Sequence, residues 1–351
     1  MLKRILKITG IVLGAVVVLL VGLIAFLSIT EYHPDPAQDA EHIIAIENGS
    51  EAGESLTLYS WNIGYAGLGE ESDFFMDGGE MVYPPSQEIV EKNFAGIRSF
   101  LQENPADVWL LQEVDVSSAH TDYMDQFSLL QSALEMHGAL AYNYNCLFVP
   151  IPMPPIGKVQ SGIATYTSLE VTGQPQRVSL PCPFSWPVSA ANLKRCLLVT
   201  RIPVADSDKE LVIINLHLEA YEDGAGRIAQ TRQLVELMEA EYEAGNYVIA
   251  GGDFNQSFPG TLDTYPIADS STWAPGLLEQ SSLPEGWQYA YDGSTPTCRL
   301  LDAPLSDACQ RYVIDGFILS PNVQLELVET VSLGFACSDH NPVRLDVTLL
   351  P

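Results

Sequence analysis

Short apolar runs and helix-like periodicities alternate along this 351-residue chain. Apolar residues at every third or fourth position predict amphipathic helices, and apolar runs of about four to eight residues between polar residues predict strands. The predicted helices cover residues 86–102, 126–136 and 227–243. The predicted strands begin near residues 56, 108, 162, 196, 211, 247, 312 and 341. This alternation favours one α/β domain over residues 55–351.

Local signals mark the ends of these elements. Ser86 is a predicted N-cap, because its hydroxyl can accept a hydrogen bond from a free N–H of the first helical turn. A glycine, Gly245, ends the third predicted helix. Residues 64–85, 147–156 and 181–187 are predicted to be loops, since they are irregular or rich in proline and aromatic residues.

The first 30 residues form a separate element. Three basic residues, Lys3, Arg4 and Lys7, precede an apolar run from Ile8 to Leu27. Its length matches the ~20 residues of a membrane-spanning helix and exceeds the ~7–15 apolar residues of a signal peptide. We therefore expect an uncleaved, single-pass anchor in the cell membrane, with a cleaved signal as the alternative. The basic residues place the N-terminus in the cytoplasm and the rest of the chain outside.

Residues 31–54 are polar and acidic, with two prolines near their start, and predict a tether with a short ordered piece at 42–46. After Thr30 the chain has 13 basic against 45 acidic residues, which leaves a net charge of −32. Proteins that bind nucleic acid normally have the opposite balance, so the charge argues against such a partner. Solubility outside the cell is a sufficient reason for the charge itself.

The six cysteines lie in the part of the chain predicted to be exported, where disulfides can form. The pairs that are near in sequence are Cys298 with Cys309 and Cys182 with Cys196. No paired C-x-x-C spacing is present, which argues against a zinc site. Buried free thiols are the alternative, above all for the two remaining cysteines.

Polar residues recur where the predicted strands end. The run 251–256, Gly-Gly-Asp-Phe-Asn-Gln, follows a buried strand and places Asp253 and Asn255 on the same side. A carboxylate beside a neutral amide suits attack of water on a phosphoryl group, although an ordinary turn has the same composition. Five further polar residues occupy comparable positions, namely Asn62, Glu113, His217, Asp339 and His340. A sixth, Asp315, lies in the interior of a predicted strand.

Six segments in this order resemble the motifs of the endonuclease/exonuclease/phosphatase superfamily, which includes deoxyribonuclease I. They are Trp61-Asn62-Ile63, Leu111-Gln112-Glu113-Val114, Asn215-Leu216-His217-Leu218, Gly252-Asp253-Phe254-Asn255, Ile314-Asp315-Gly316 and Ser338-Asp339-His340-Asn341-Pro342-Val343. The resemblance implies a four-layer α/β sandwich behind the N-terminal transmembrane helix. It also implies hydrolysis of a phosphoester with Mg²⁺, or with Mn²⁺ in its place.

The resemblance also implies roles for individual residues. Glu113 is the expected principal metal ligand with Asn62 beside it, since Mg²⁺ prefers oxygen ligands. Asp253 is expected to orient or deprotonate the attacking water, and Asn255 to contact phosphoryl oxygens. His340 is expected near the scissile phosphate.

Four other positions complete the implied set. Asp315 is expected to hold His340, because an Asp–His pair fixes the tautomer of the imidazole, and Asp339 is a further acidic member of the same motif. His217 would protonate the leaving oxygen or bind phosphate. Either Tyr142 or Tyr144 matches an active-site tyrosine.

Three functions remain open from the sequence. The anchor, the acidity and His217 favour a phosphodiesterase or phosphatase acting outside the membrane on a lipid head group or small phosphoester. A nuclease outside the membrane would need a basic groove, and a non-catalytic binding module could use the same pocket. The substrate and the oligomeric state do not follow from the sequence.

Overall fold

The computed structural model describes residues 2–222, 224–269 and 271–351. Its helices are α1 (Leu2–Ile29), α2 (Gln87–Glu103), α3 (Gln126–Leu134), α4 (Ala225–Glu243) and α5 (Thr261–Thr264). The first nine strands are β1 (Ala37–Asp39), β2 (His42–Ile44), β3 (Ser55–Asn62), β4 (Val108–Asp115), β5 (His137–Val149), β6 (Gly157–Thr167), β7 (Gln176–Ser179), β8 (Cys196–Pro203) and β9 (Glu210–His217). The others are β10 (Tyr247–Asp253), β11 (Gln256–Ser257), β12 (Gly276–Leu277), β13 (Gln288–Ala290), β14 (Cys298–Arg299), β15 (Arg311–Tyr312), β16 (Asp315–Leu319), β17 (Val323–Thr330) and β18 (Val343–Leu349).

Two seven-stranded sheets form the centre of the domain. Sheet A has the order β1-β7-β8-β9-β10-β16-β13, and sheet B has the order β17-β18-β3-β4-β6-β5-β2. Their facing sides share one apolar core, to which sheet B gives Leu58 and Leu110 and sheet A gives Ile213, Ile249 and Phe317. Such face-to-face packing removes both inner surfaces from water and holds the two sheets together.

Helices cover the outer faces of both sheets. Leu234 and Met238 of α4 pack in an apolar cluster with residues of sheet A, and α2 and α3 pack on sheet B through residues that include Phe94 and Phe127. The predicted four-layer α/β sandwich is confirmed, and the layers are helix, sheet, sheet and helix.

Local signals account for the helix ends. The Ser86 hydroxyl accepts a hydrogen bond from the N–H of Ile89 at 3.3 Å, as expected of an N-cap. The second helix is shorter than predicted and ends at Leu134, because Glu135 adopts the left-handed conformation at φ 54° and β5 begins two residues later.

The segment predicted as a tether, residues 31–54, differs in the structure. Strand β1 pairs with β7 at one edge of sheet A, and β2 pairs with β5 at one edge of sheet B. Ala52 is fully buried, and its N–H donates to the carbonyl of Pro203 at 2.8 Å. Edge strands leave a row of backbone groups unpaired, and this segment satisfies them on both sheets. It is therefore part of the folded domain.

The remaining differences concern strands and cysteines. Residues 147–149, predicted to be in a loop, extend β5, and the edge strand β17 was not predicted. All six cysteines are free thiols, so neither proposed pair is joined. The Cys196 thiol is buried beside the side-chain oxygen of Asn143, whereas Cys182 is exposed and its thiol donates to the carbonyl of Phe184.

Helix α1 is long and apolar enough to cross a membrane. Only Leu27 is buried among its described residues, so nearly the whole helix projects from the domain. A helix that is apolar all round and uncovered by protein is typical of a membrane span.

Candidate active site

A cavity of about 620 Å³ lies where the carboxyl ends of the central strands meet. Strands β3 and β4 are parallel to each other in sheet B, as are β9 and β10 in sheet A. Seven of the eight predicted site residues line this cavity, namely Asn62, Glu113, His217, Asp253, Asn255, Asp339 and His340. The eighth, Asp315, lies behind His340.

Strand register sets three of these side chains in a row. Asp253 at the end of β10 is paired with His217 at the end of β9 and with Asp315 at the start of antiparallel β16. Gly252 permits this close approach, because a Cβ atom there would lie 2.0 Å from the carbonyl oxygen of Leu216.

Glu113 enters the cavity through an irregularity in β4. The pairing of β4 with β6 shifts between Leu111 and Val114, and Glu113 adopts a left-handed φ of 55°. A bulge redirects a side chain that would otherwise follow the alternation of the strand. Left-handed conformations of residues other than glycine concentrate at functional sites.

Asn62 links the carboxylates of the two sheets. Its side-chain Nδ2 donates to Glu113 Oε1 at 3.3 Å and to Asp253 Oδ2 at 3.0 Å, and its Oδ1 accepts from the N–H of Gly64 at 3.0 Å. The Nε2 atom of His217 lies 3.4 Å from the same Asp253 oxygen. Asn62 therefore holds the acidic groups in place.

Asn255, two residues after Asp253, adopts a left-handed conformation with φ 50°. Its backbone N–H donates to Asp253 Oδ1 at 2.8 Å, and its side-chain Nδ2 donates to the carbonyl of Leu218 at 2.9 Å. These bonds orient the amide and use one of its two side-chain N–H donors. The second donor is available to the cavity that Asn255 lines.

His340 and Asp315 form a buried pair. The Nδ1 atom of His340 lies 2.8 Å from Asp315 Oδ2, which fixes the proton on Nδ1 and turns Nε2 towards the cavity. Nε2 is 3.8 Å from Asp253 Oδ2 and 3.9 Å from Asp339 Oδ2. The expectation that Asp315 holds His340 agrees with this geometry.

Burial and mutual repulsion raise the pKa values of the carboxyl groups. Burial, with the charge of Asp339, raises the pKa of Glu113 to about 7. Burial, with the charge of Asp315, raises the pKa of Asp253 to about 6. Burial raises the pKa of Asp339 as well. Several ionised carboxylates in one enclosed site repel one another and destabilise the fold unless a cation lies among them.

The two imidazoles have opposite shifts. Burial alone would lower the pKa of His340, but the carboxylates of Asp315 and Asp339 outweigh it and hold that pKa well above its usual value. Burial, together with the nearby charge of Arg195, holds the pKa of His217 well below its usual value. These directions favour a protonated His340 and a neutral His217 at neutral pH.

The donor set fits a hard divalent cation. Carboxylate oxygens of Asp253 and Asp315 lie within 4.8 Å of each other, and Asp315 Oδ1 is buried without a hydrogen-bond partner in the described part of the chain. Glu113 and Asp339 add carboxylate oxygens whose pKa values are raised. Oxygen-rich acidic sites of this kind suit Mg²⁺ or Mn²⁺. The specific assignment of Asn62 and Glu113 as ligands stays a prediction.

Arg195 was missed by the sequence analysis. It immediately precedes β8, is buried and lines the cavity. Its Nε lies 3.8 Å from Glu219 Oε2, and neither Nε nor Nη1 makes a hydrogen bond to any residue of the described ranges. A buried guanidinium with free donors suits an anionic group. The sequence offers one signal for Arg195, namely that basic residues are rare in so acidic a chain and each is therefore a candidate to bind an anion.

The stretch predicted as surface loop 64–85 contributes a wall of the cavity through Phe74, Phe75 and Met76. Asp77 in this stretch accepts a hydrogen bond from the hydroxyl of Tyr221 at 2.7 Å, and burial raises its pKa to about 6.

The two candidate tyrosines have other partners. The Tyr144 ring lines the cavity but its hydroxyl donates to the carbonyl of Ala191 at 2.8 Å. The Tyr142 hydroxyl is 2.6 Å from Nε2 of His42.

Residues 59–340 match the family model described as the endonuclease/exonuclease/phosphatase family. The chain belongs to this family. The resemblance stated from the motifs is therefore confirmed. Members of the family are phosphoester hydrolases and generally use divalent metal ions. No curated protein sequence matches the chain.

Solved structures share the family fold. An endonuclease/exonuclease/phosphatase from Beutenbergia cavernae is similar with a TM-score of 0.59 at 18% identity, over 85% of this chain and 72% of that one. The human Nocturnin catalytic domain with bound sulfate has a TM-score of 0.53 at 18% identity, over 85% and 96%. Truncated Caenorhabditis elegans TDP2 has a TM-score of 0.51 at 15% identity, over 84% and 98%. At these identities the likenesses establish the fold alone.

Proposed function

We propose that this protein is a Mg²⁺-dependent phosphoester hydrolase, with Mn²⁺ as a substitute ion. The observation that carries the proposal is the His340–Asp315 pair, whose Nε2 faces Asp253 across a cavity that Arg195 also lines. A carboxylate base, a cationic imidazole and a guanidinium with unused hydrogen-bond donors suit attack of water on a phosphoryl centre.

Asp253 acts as the base. Its pKa of about 6 leaves it largely ionised at neutral pH but basic enough to take a proton from water. The water oxygen forms the new bond to phosphorus while the ester P–O bond breaks. The proton taken by Asp253 returns through solvent to the departing oxygen.

The cationic residues bind the phosphoryl group. His340, protonated and oriented by Asp315, donates from Nε2 to one phosphoryl oxygen. Arg195 and the second side-chain N–H of Asn255 donate to others. Charge-assisted hydrogen bonds aimed at the developing negative charge stabilise the transition state. Neutral His217 hydrogen bonds to the phosphoryl or leaving oxygen.

A divalent cation bound by Glu113 and Asn62, with Asp339 nearby, would neutralise the phosphoryl charge and offset the repulsion among these carboxylates. We place the enzyme at the cell membrane, anchored by α1 with its N-terminus in the cytoplasm and its catalytic domain outside. Its substrate is then a lipid head group or a small phosphoester. The net charge of −32 disfavours nucleic acid.

The test is a metal-supplemented activity panel with the full-length protein on phospholipids, sphingomyelin, inositol phosphates, bis(p-nitrophenyl) phosphate and DNA. We expect hydrolysis that stops in chelator and returns with Mg²⁺ or Mn²⁺. Asp253→Asn and His340→Ala should each lower turnover by at least about 10²-fold. The control is His33→Ala, since His33 is exposed and does not line the cavity. Full activity in chelator, or in either variant, would contradict the proposal.

A further inference from the structure

The end of the predicted membrane helix lies at the mouth of the active-site cavity. Leu23, Ile24 and Leu27 of α1 line the same cavity as the catalytic residues. The indole Nε1 of Trp186 donates to the hydroxyl of Ser28 at 2.9 Å, and Lys194 forms an ion pair with Glu31 at 2.7 Å. The helix is therefore attached to the wall of the cavity.

Exposed apolar side chains line the same cavity or lie within two residues of side chains that line it. Ile151 and Val188 line it and are 74% and 58% exposed, and the nearby residues Met153 and Trp186 are 83% and 61% exposed. We call these four residues the apolar rim. Large exposed apolar side chains that cluster beside a cavity mark a surface that meets another apolar phase.

The length of the helix places the rim relative to a bilayer. The apolar run Ile8–Leu27 has about 20 residues, which at ~1.5 Å per residue spans ~30 Å, the thickness of the hydrocarbon core. Its last turns, which contain Leu23 and Leu27, then lie at the boundary of the leaflet next to the domain. The cavity mouth, which these residues line, lies at that boundary too.

Electrostatic attraction does not explain contact between the domain and the bilayer surface. The body after Thr30 carries −32, and anionic head groups repel such a body. Apolar contact by the rim is the attraction that remains. The amphipathic side chain of Trp186 is of the type that concentrates at membrane interfaces.

We propose that the substrate is a membrane lipid with a phosphoester head group, taken from the leaflet in which α1 ends. This inference rests on the proposed hydrolase function. The head group enters the cavity between α1 and the apolar rim and its phosphate reaches Arg195 and His340. The lipid tails stay beside Leu23 and Leu27, so the lipid need not leave the bilayer.

The test uses full-length protein reconstituted with Mg²⁺ in vesicles of phosphatidylcholine, phosphatidylethanolamine, phosphatidylglycerol and sphingomyelin. Released head groups are measured by mass spectrometry, and bis(p-nitrophenyl) phosphate is hydrolysed in the same vesicles as the soluble substrate. In the variant Met153→Asp we expect lipid hydrolysis to fall by at least about tenfold, because a charged side chain at the rim opposes contact with the bilayer. Hydrolysis of the soluble ester should change by less than about twofold, since Met153 is 83% exposed and does not line the cavity.

Leu327→Asp is the matched control. Leu327 is 37% exposed on β17, which lies at the opposite edge of sheet B from β2. Both reactions should be unchanged in this variant. Hydrolysis of the soluble ester without hydrolysis of any lipid would overturn the inference and leave the hydrolase intact. A rim variant with undiminished lipid hydrolysis, or with an equal loss on both substrates, would also overturn it. Absence of both reactions in the wild type would instead contradict the hydrolase itself.

A second measurement reports the contact directly. Lipids brominated near the head group should quench part of the tryptophan fluorescence of the reconstituted protein, and Trp186→Phe should remove that quenched part. Trp61, Trp109 and Trp287 are buried in the domain and serve as the unquenched background. Trp273, which is half-buried and lines the cavity, is present in both proteins, so the difference between them reports Trp186. Equal quenching in the wild type and in Trp186→Phe would show that the rim does not touch the bilayer.

Discussion

Asp315 controls the protonation of His340 without lining the cavity. It accepts the Nδ1 proton at 2.8 Å, and its charge helps to hold the pKa of His340 well above its usual value. We expect Asp315→Asn to lower kcat by about 10²- to 10⁴-fold, because the wrong tautomer and the neutral imidazole become accessible.

The pH profile separates this role from a structural one. With the carboxylate gone, the pKa of His340 falls, so the alkaline limb of the kcat profile should move to lower pH in Asp315→Asn. Asp346→Asn is the control, since Asp346 pairs with Arg344 on β18 away from the cavity. An unshifted alkaline limb in Asp315→Asn would remove the assigned role.

Glu113 is buried among other acidic groups, so its ionised carboxylate destabilises the fold. Its pKa is about 7 in the fold against its ordinary 4.5. A carboxyl whose folded pKa is raised stabilises the fold while protonated, and that contribution is lost as the pH rises from about 4.5 through about 7. We expect Glu113→Gln, measured in chelator, to match the wild type near about pH 4 and to be more stable near about pH 8.

Thermal unfolding measures this difference. Each 1 kcal/mol shifts Tm by about 2–4 °C in domains of about 150–250 residues, so a few degrees are resolvable. Mg²⁺ should raise the Tm of the wild type at neutral pH and do so less in Glu113→Gln, in which we also expect activity to be lost. If Glu113→Gln lowered Tm at both pH values, Glu113 would be a stabilising group and our electrostatic account would be wrong.

At the scale of elements, strands β1 and β2 attach the chain after α1 to both sheets. We expect a chain that lacks residues 1–30 to be soluble and to hydrolyse soluble esters, since every site residue follows Asn62 or coincides with it. A chain that lacks residues 1–54 should be less stable, because both sheet edges lose a strand and the buried Ala52 is removed. Equal Tm values for the two chains would mean that residues 31–54 act only as a tether.

The elements that follow their own sequence pattern were predictable. The apolar face and cap of α2 depend on spacing within one segment, and so do the buried central strands. Strands β1 and β2 have three residues each and exist because edges formed elsewhere accept them. The strand predicted from residue 312 is divided before Asp315 because the Thr297 hydroxyl accepts hydrogen bonds from the N–H groups of Ile314 and Asp315. No pattern near residue 312 contains that information.

Some residues of the candidate site could likewise be predicted from the sequence and others could not. Residues at strand ends, such as His217 and Asp253, were predictable because register brings the ends of neighbouring strands together. Arg195 belongs to no strand-end pattern. It reaches the cavity because the segment before β8 packs along it, which is a tertiary fact.

At the scale of the whole molecule, the orientation across the membrane can be tested in intact cells. Lys3, Arg4 and Lys7 lie in the first turns of α1, and none of the 45 acidic residues precedes Glu31. This distribution of charge predicts that the domain lies outside. We expect added proteinase K to cut the domain in intact cells, first in exposed stretches such as residues 302–308 rather than in the docked segment 31–54. Protection of the domain until the cells are broken would show that it lies in the cytoplasm.

The attachment of α1 to the cavity wall through Ser28 and Trp186 also bears on kinetics. An enzyme whose active site is fixed to its own anchor cannot search the solution or reach a neighbouring vesicle. It encounters substrate by lateral diffusion in two dimensions. Its velocity should follow the mole fraction of the substrate lipid in the surface, and dilution of the whole vesicle suspension should leave the turnover of each enzyme unchanged.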